Sequence, residues 1–223
     1  MRFPAFGAIS MDLEMFKRDS RYYGSGPISV TPMELDGHPE LMFVQDMPIK
    51  MAWGWIERVP ENLKCFLPLI EEASDKTALD EYLYINAKHI YFPPGAHVNR
   101  PGWHSDSYGH ADKTWLWYDS VPTEFCRQPF ALSMDDKTSM QQMEEQALFD
   151  NVVTYPCKNL IYMDDKCIHR PAVSTEGGFR IFVKLVTSKN RFNLKGNAHN
   201  YLFDYDWELG ERGKDRNLQQ AYK

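Results

Sequence analysis

The most informative segment of this chain is Pro101-Gly102-Trp103-His104-Ser105-Asp106. In an extended segment, residues two apart project to the same face, so His104 and Asp106 would present an imidazole and a carboxylate side by side. A third ligand would have to come from a distant strand, and His169 is the candidate. Two histidines and one carboxylate form a facial metal triad, which is the usual site for a non-haem Fe(II) ion that activates oxygen. The sequence therefore predicts a metal site at His104, Asp106 and His169.

A second signal follows His169 along the chain. Residues 170–178 end in a glycine pair, which indicates a turn, and residues 179–186 are rich in Val, Ile and Phe, as is typical of a strand. A strand, a turn and an antiparallel strand would bring Arg180 back beside the metal site. A planar guanidinium grips a carboxylate through two parallel hydrogen bonds. Arg180 is therefore predicted to bind a dicarboxylate co-substrate.

His104-x-Asp106, His169 and Arg180 together resemble the His-x-Asp…His…x10…Arg pattern of the Fe(II)/2-oxoglutarate-dependent dioxygenase superfamily. The resemblance covers residues 82–188, slightly under half of the chain, and depends on four residues and their order. It implies a mostly β fold, a distorted double-stranded β-helix (a cupin-like jelly roll) with two or three bracing α-helices. It also implies Fe(II), 2-oxoglutarate as co-substrate, and O2. The expected reaction is hydroxylation of a substrate, with 2-oxoglutarate decarboxylated to succinate and CO2.

The same resemblance suggests a helper for the arginine, because these enzymes often use a polar or phenolic side chain from a neighbouring strand. Tyr91 is the candidate cofactor-binding residue by position, with Tyr84 and Asn86 behind it; an ordinary strand aromatic is the competing interpretation. The prolyl-hydroxylase group commonly has Lys in place of Arg180. Nucleic-acid dealkylases of the AlkB type carry a second Arg six residues later, where this chain has Val186. Small-molecule, free amino-acid, peptide and nucleotide substrates all remain open.

The identity of the carboxylate ligand has alternatives. The sequence contains a second His-x-Asp pair at His110 and Asp112, in what reads as the loop beyond the first pair. The first pair is preferred because it directly follows a strand-like run and two Pro-Gly turns. Asp164 and Asp165 lie on the approach to the distal histidine, but neither forms a compact i, i+2 pair with a histidine. Arg100, just before the motif, is a candidate contact for an anionic substrate or a solvated residue.

Composition excludes several classes of protein. A net charge of -6 over 223 residues gives no basic footprint for a nucleic-acid backbone. No apolar run approaches membrane-spanning length, and the first ten residues lack a signal-peptide core. The four cysteines are scattered, without C-x-x-C spacing, which indicates free thiols in a reducing compartment. A cytoplasmic protein is the expectation, and its oligomeric state is open.

We expect one domain over residues 1–223, with a core at about 48–188, N-terminal strands and loops over 1–47, and a C-terminal strand and loose tail over 189–223. Alternating apolar residues predict a strand over 48–59, in which Trp53 and Trp55 pack a helix onto a sheet. Further strands are predicted at 82–92, 114–130, 159–168, 179–188 and 201–207. Helices are predicted at 61–74, with Pro68 as a weakness, at 76–82, and at 133–149, where Ser133 or Thr138 opens a capping box.

Two other classes of function fit parts of this pattern. A cupin-type metalloenzyme would use the barrel and the metal without 2-oxoglutarate, and it would not need Arg180. A metal-free jelly-roll binding module would keep the fold, but its His104, Asp106 and His169 side chains would not converge. Convergence of these side chains is therefore the first structural test.

Overall fold

The computed structural model describes residues 22–212, so the predictions for residues 1–21 and 213–223 lie outside the described residues. The described chain forms two antiparallel β-sheets and two α-helices. In chain order the strands are β1 (Ser29–Pro32), β2 (Met42–Lys50), β3 (Tyr82–Phe92), β4 (Lys113–Tyr118), β5 (Thr123–Cys126), β6 (Val152–Thr154), β7 (Asn159–Asp164), β8 (His169–Pro171) and β9 (Gly178–Ser188).

The larger sheet has six strands in the order β1-β7-β4-β9-β3-β2, and the smaller sheet has three in the order β6-β5-β8. Single β-bridges pair His97 with Val173 and His104 with His169, so residues 97–104 meet the smaller sheet at two points, with bends at residues 98–100 and 102 between them. The two sheets pack on each other through apolar residues of β4, β5, β7 and β9. This arrangement is a jelly roll, and the predicted fold class is confirmed.

The space between the two sheets is filled on one side by apolar residues from both. This inner cluster consists of Leu116, Tyr118, Phe125, Ile161, Met163, Cys167 and Phe182. Along β9 the side chains alternate: Phe182 joins the inner cluster, whereas Ile181, Val183 and Leu185 belong to a separate core on the outer face. By the same alternation, Arg180 and Lys184 stand on the inner side of β9.

Helix α1 (Leu67–Ser74) buries Leu69, Ile70 and Ala73 in the outer core. A 3-10 helix at Glu61–Phe66 precedes it, so Pro68 falls in the first turn of α1, where a missing backbone N–H costs nothing. The predicted helix over 61–74 is therefore present, and the proline marks the junction between its two parts.

Helix α2 (Asp136–Gln146) is shorter than the predicted helix over 133–149. Its N-cap is Asp135, whose carboxylate accepts a hydrogen bond from the Thr138 backbone N–H at 2.9 Å, so the predicted capping boxes are wrong. The buried Met143 packs against Trp103 and Ile168. Helix α2 therefore covers the residues that directly precede the two predicted histidine ligands.

Three sequence predictions fail in the outer parts of the fold. Strand β2 ends at Lys50 instead of continuing to residue 59, and Trp53 and Trp55 are 72% and 81% exposed. The chain turns at residues 52–53, with Trp53 at a φ of +63°, so the alternating residues beyond Lys50 do not lie on a strand. Residues 76–81 form turns instead of a helix, and residues 201–207 form no strand.

The sequence also led to predictions about the cysteines and about membrane-spanning segments. All four cysteines are free, as expected. Within residues 22–212, neither helix has the length and apolar character that a membrane crossing requires.

Candidate metal centre

The backbones of His104 and His169 are paired at the centre of the site. The N–H of each residue donates to the carbonyl of the other, at 2.9 Å in both directions. This pairing sets the two imidazoles side by side, with ring centroids 4.5 Å apart. The preceding residues, Trp103 and Ile168, point away from the site into the cluster beneath helix α2. Alternation thus buries one apolar neighbour on each strand and turns both imidazoles inward.

Hydrogen bonds fix the tautomer of both histidines. Nδ1 of His104 lies 2.9 Å from the carbonyl of Gly102, and Nδ1 of His169 lies 3.2 Å from the carbonyl of Cys167. A carbonyl only accepts, so each Nδ1 carries the proton and each Nε2 keeps its lone pair. A histidine held in this way by its other ring nitrogen is the usual arrangement of a metal ligand.

Asp106 completes the group. One carboxylate oxygen, Oδ2, lies 3.7 Å from Nε2 of His169, and the other, Oδ1, lies 3.3 Å from Nζ of Lys184. The candidate ligand atoms of His104, Asp106 and His169 all lie within 4.8 Å of one another, and no other such group of His, Cys, Asp and Glu occurs within residues 22–212. The structure therefore brings together the three residues that the sequence proposed as metal ligands.

The electrostatics of the group favour the protonation states that a metal needs. Burial, together with the neighbouring His104, lowers the pKa of His169 to about 4, and burial likewise lowers the pKa of His104. Burial alone would raise the pKa of Asp106, but Lys184 and the two imidazoles outweigh it and hold that pKa well below its ordinary value. At neutral pH the site therefore presents two neutral imidazoles and one carboxylate.

Arg180 stands on the same inner face of β9 as Lys184, the residue that contacts Asp106. Its side chain is only 2% exposed, and its Nε donates to the backbone carbonyl of Ser120 at 2.8 Å. The guanidinium stands over the rings of Tyr118 and Phe182, while Nη1 is buried without a hydrogen-bond partner. Burial lowers the pKa of Arg180 to about 10, which leaves the group charged. A buried, charged donor without an acceptor is costly, so this nitrogen is suited to an anionic ligand.

A cavity of about 240 Å³ adjoins Arg180. Its wall is formed by the β4–β5 turn and by the loop that leads into β9, and its lining residues are Phe92, Ser120, Val121, Ser174, Thr175, Glu176, Gly177, Gly178, Phe179 and Arg180. Gly177 adopts a φ of +77°, and a Cβ there would lie 2.8 Å from Cδ of Pro94. The turn therefore requires glycine at this position.

The other sequence candidates do not join the three ligands. Tyr91 is 56% exposed with its ring against Phe179, so it lies on the opposite face of β3 from Ile90, the cross-strand partner of Arg180. His110 is exposed at the surface. Asp165 instead pairs with Lys166 at 3.0 Å.

Two lysines extend the site beyond its three predicted ligands. Lys184, on the same face of β9 as Arg180, contacts Asp106. Lys88 lies on the inner face of β3. The alternation of β3 was readable from the sequence, and it would have selected Lys88 once the cross-strand register with β9 was known.

No family model matches this chain, and no curated protein matches it. The crystal structure of EvdO2 from Micromonospora carbonacea var. aurantiaca is similar at 15% identity and a TM-score of 0.36, over 58% of this chain and 60% of that chain. A second EvdO2 structure, complexed with 2-oxoglutarate, is similar at 12% identity and a TM-score of 0.38, over 79% of this chain and 89% of that chain.

Proposed function

We propose that the protein is an Fe(II)- and 2-oxoglutarate-dependent oxygenase. The observation that supports this most is the convergence of His104, Asp106 and His169 with both Nε2 lone pairs available. Two neutral imidazoles and one carboxylate suit a ferrous ion and leave coordination positions for co-substrate and oxygen. A metal-free binding module would not require these side chains to meet.

The chain's own residues would prepare the ion's surroundings. Lys184 contacts Oδ1 of Asp106, whereas Oδ2 faces Nε2 of His169, so the carboxylate offers one oxygen toward the imidazoles. Phe125, whose ring centroid lies 5.7 Å from that of His169, connects the ligand to the apolar inner cluster. These apolar side chains would exclude water from one side of the ion.

In this proposal Arg180 binds the distal carboxylate of 2-oxoglutarate. The support is the buried Nη1 without a partner and the adjoining cavity of about 240 Å³. When bound, iron and 2-oxoglutarate would supply an oxidation of a substrate C–H bond by O2, with release of succinate and CO2. The protein's contribution is to hold the ligands, orient the co-substrate and exclude solvent.

Titration calorimetry under anaerobic conditions tests this assignment. Wild-type protein should bind one Fe(II) per chain, and then bind 2-oxoglutarate only when the metal is present. Arg180→Met should weaken 2-oxoglutarate binding at least tenfold, because a charge-assisted hydrogen bond is worth about 1.5–3 kcal/mol. The same variant should leave Fe(II) affinity unchanged, whereas His169→Ala should abolish it.

The alternative outcome identifies the rival enzyme class. If Arg180→Met binds 2-oxoglutarate as tightly as wild type, Arg180 only fastens the β4–β5 turn through the Ser120 carbonyl. Fe(II) binding with no 2-oxoglutarate binding would instead favour a cupin-type metalloenzyme that works without a keto acid.

A further inference from the structure

Three cationic side chains stand together on the inner face of β3 and β9. Lys88 is directly opposite Phe182 in the cross-strand register, and Phe182 belongs to the inner cluster, so Lys88 also points inward. Lys184 and Arg180 occupy the two diagonal positions, where Cβ atoms are typically about 7–8 Å apart. The whole chain has a net charge of -6, so this concentration of positive charge is local to the interior.

Two of the three cations already have a role in the site. Lys184 contacts Asp106, and Arg180 has its Nε bonded to the Ser120 carbonyl with Nη1 free for the co-substrate. Lys88 donates to the neutral amide oxygen of Asn99 at 2.9 Å. No carboxylate lies within ion-pair distance of Lys88 in the part of the chain that the structure describes, residues 22–212.

The position of Lys88 connects it to the metal centre. Asn99 lies in the bend at residues 98–100, on the segment that leads to the first metal ligand, His104. The Lys88 ammonium therefore bridges the gap between the larger sheet and the segment that carries this ligand. The ring of Phe43, 60% exposed, lies 5.2 Å from the ammonium and offers an apolar surface beside it.

Burial and repulsion from Lys184 and Arg180 together lower the pKa of Lys88 to about 8, and the carboxylate of Asp46, beyond ion-pair distance, offsets only part of this effect. A half-buried ammonium that is repelled by two other cations would be stabilised by an anion bound among the three. In the proposed function, the distal carboxylate of 2-oxoglutarate binds Arg180. The Lys88 ammonium is then left without an anion in contact.

We propose that Lys88 binds an oxyanion of the primary substrate, a carboxylate or a phosphate, at the entrance to the metal centre. The substrate class is then a small organic acid or phosphate ester whose apolar body contacts Phe43. This inference depends on the proposed function, because it assigns Arg180 to the co-substrate and Lys88 to the substrate.

The test is anion binding to Fe(II)-loaded protein under anaerobic conditions, with saturating 2-oxoglutarate, pH 7 and constant ionic strength. Inorganic phosphate, acetate and benzoate are titrated separately into wild type, Lys88→Gln and Lys88→Arg. The matched control is Lys64→Gln, which removes a solvent-exposed lysine on the 3-10 helix before α1. Wild type should bind at least one of the anions, Lys88→Gln should weaken it at least tenfold, and Lys88→Arg and Lys64→Gln should stay within threefold of wild type.

Phosphate binding alone would point to a phosphate ester, and acetate or benzoate binding would point to an organic acid. The proposal is overturned if wild type binds none of the three anions or if Lys88→Gln binds them equally well. It is also overturned if Lys88→Gln weakens 2-oxoglutarate binding instead, because Lys88 would then hold the co-substrate. Lys88→Met serves as a second variant, and near-ultraviolet circular dichroism establishes that each variant is folded.

A titration of 2-oxoglutarate into the same metal-loaded wild type tests the proposed function separately from the anion site at Lys88. If 2-oxoglutarate does not bind but the anion still depends on Lys88, the proposed function fails and the anion site stands. If 2-oxoglutarate binds and no anion does, the proposed function stands and the site at Lys88 fails.

Discussion

The neutral state of His169 makes the metal-free protein sensitive to acid. The imidazole is 4% exposed, lies 3.7 Å from the Asp106 carboxylate, and has a pKa lowered to about 4 by burial and by His104. In the unfolded chain the same group has its ordinary pKa of 6.5. Between these values the unfolded state binds the proton and the folded state does not, so stability falls as the pH falls from 6.5 to 4.

The magnitude follows from the size of the shift. A change of one pKa unit corresponds to about 1.4 kcal/mol, so His169 should contribute a loss of about 3 kcal/mol by pH 4. The lowered pKa of His104 adds a loss of the same sign. The depressed pKa of Asp106 acts mainly below its ordinary value of 3.8, so it has little effect in this window.

Urea denaturation of the metal-free protein at pH 7 and at pH 4 measures the effect. We compare wild type with His169→Gln, which keeps a polar side chain of similar reach but does not titrate. The free energy of unfolding of wild type should fall by about 3 kcal/mol more than that of the variant. An equal loss in both proteins would refute the burial and neutrality of His169.

Three further substitutions test the packing. Phe66→Ala, at a fully buried position in the outer core, should lower the free energy of unfolding by about 3–5 kcal/mol in urea denaturation; a loss below about 1 kcal/mol would contradict that burial. Trp55→Ser should change the free energy of unfolding by less than about 0.5 kcal/mol, because that side chain lies on the surface. A large loss would instead indicate that Trp55 packs on a strand, as the sequence predicted. Gly177→Ala should lower the free energy of unfolding by about 1–3 kcal/mol, because alanine is strained at a positive φ, and the added Cβ would also clash with Pro94. The matched control is Gly95→Ala, which has a similar φ but open space, so thermal melting should show the smaller loss there.

The inner strands were predictable because their signals are local. Residues 82–92 and 179–188 were expected as strands from apolar runs bounded by turn residues, and the structure gives Tyr82–Phe92 and Gly178–Ser188. Both strands lie inside the larger sheet and pair with neighbours on both sides. Central strands of this kind are long and rich in β-branched and aromatic residues, which is the pattern that sequence reading detects best.

The edge strand β2 was misplaced for a physical reason. Its prediction relied on strict alternation through Trp53 and Trp55, whereas the strand ends at Lys50 and the chain turns at residues 52–53, with Trp53 at a positive φ. Alternation of residue types does not show where a strand ends, because that depends on pairing with the partner strand. Alternating aromatics at residues 201–207 misled in the same way, because no partner strand exists for them among residues 22–212.

Some residues of the candidate site were predictable from local sequence patterns, and others were not. The spacing of His104 and Asp106 suggested a ligand pair without knowledge of the fold, and the order of His169 and Arg180 supported it. The contact of Lys184 with Asp106 and the inward position of Lys88 depend on the register between β3 and β9 and on the facing of the two sheets. These are long-range features, and no local pattern carries them.

In the proposed function, His104, Asp106 and His169 hold a ferrous ion that also binds 2-oxoglutarate. The most direct measurement is the visible absorption spectrum of anaerobic protein with one equivalent of Fe(II), recorded before and after 2-oxoglutarate is added. We predict a weak charge-transfer band that appears only with both components, saturates at one per chain, and is absent from His169→Ala. A spectrum that 2-oxoglutarate leaves unchanged, or a band that persists in His169→Ala, would contradict the claim.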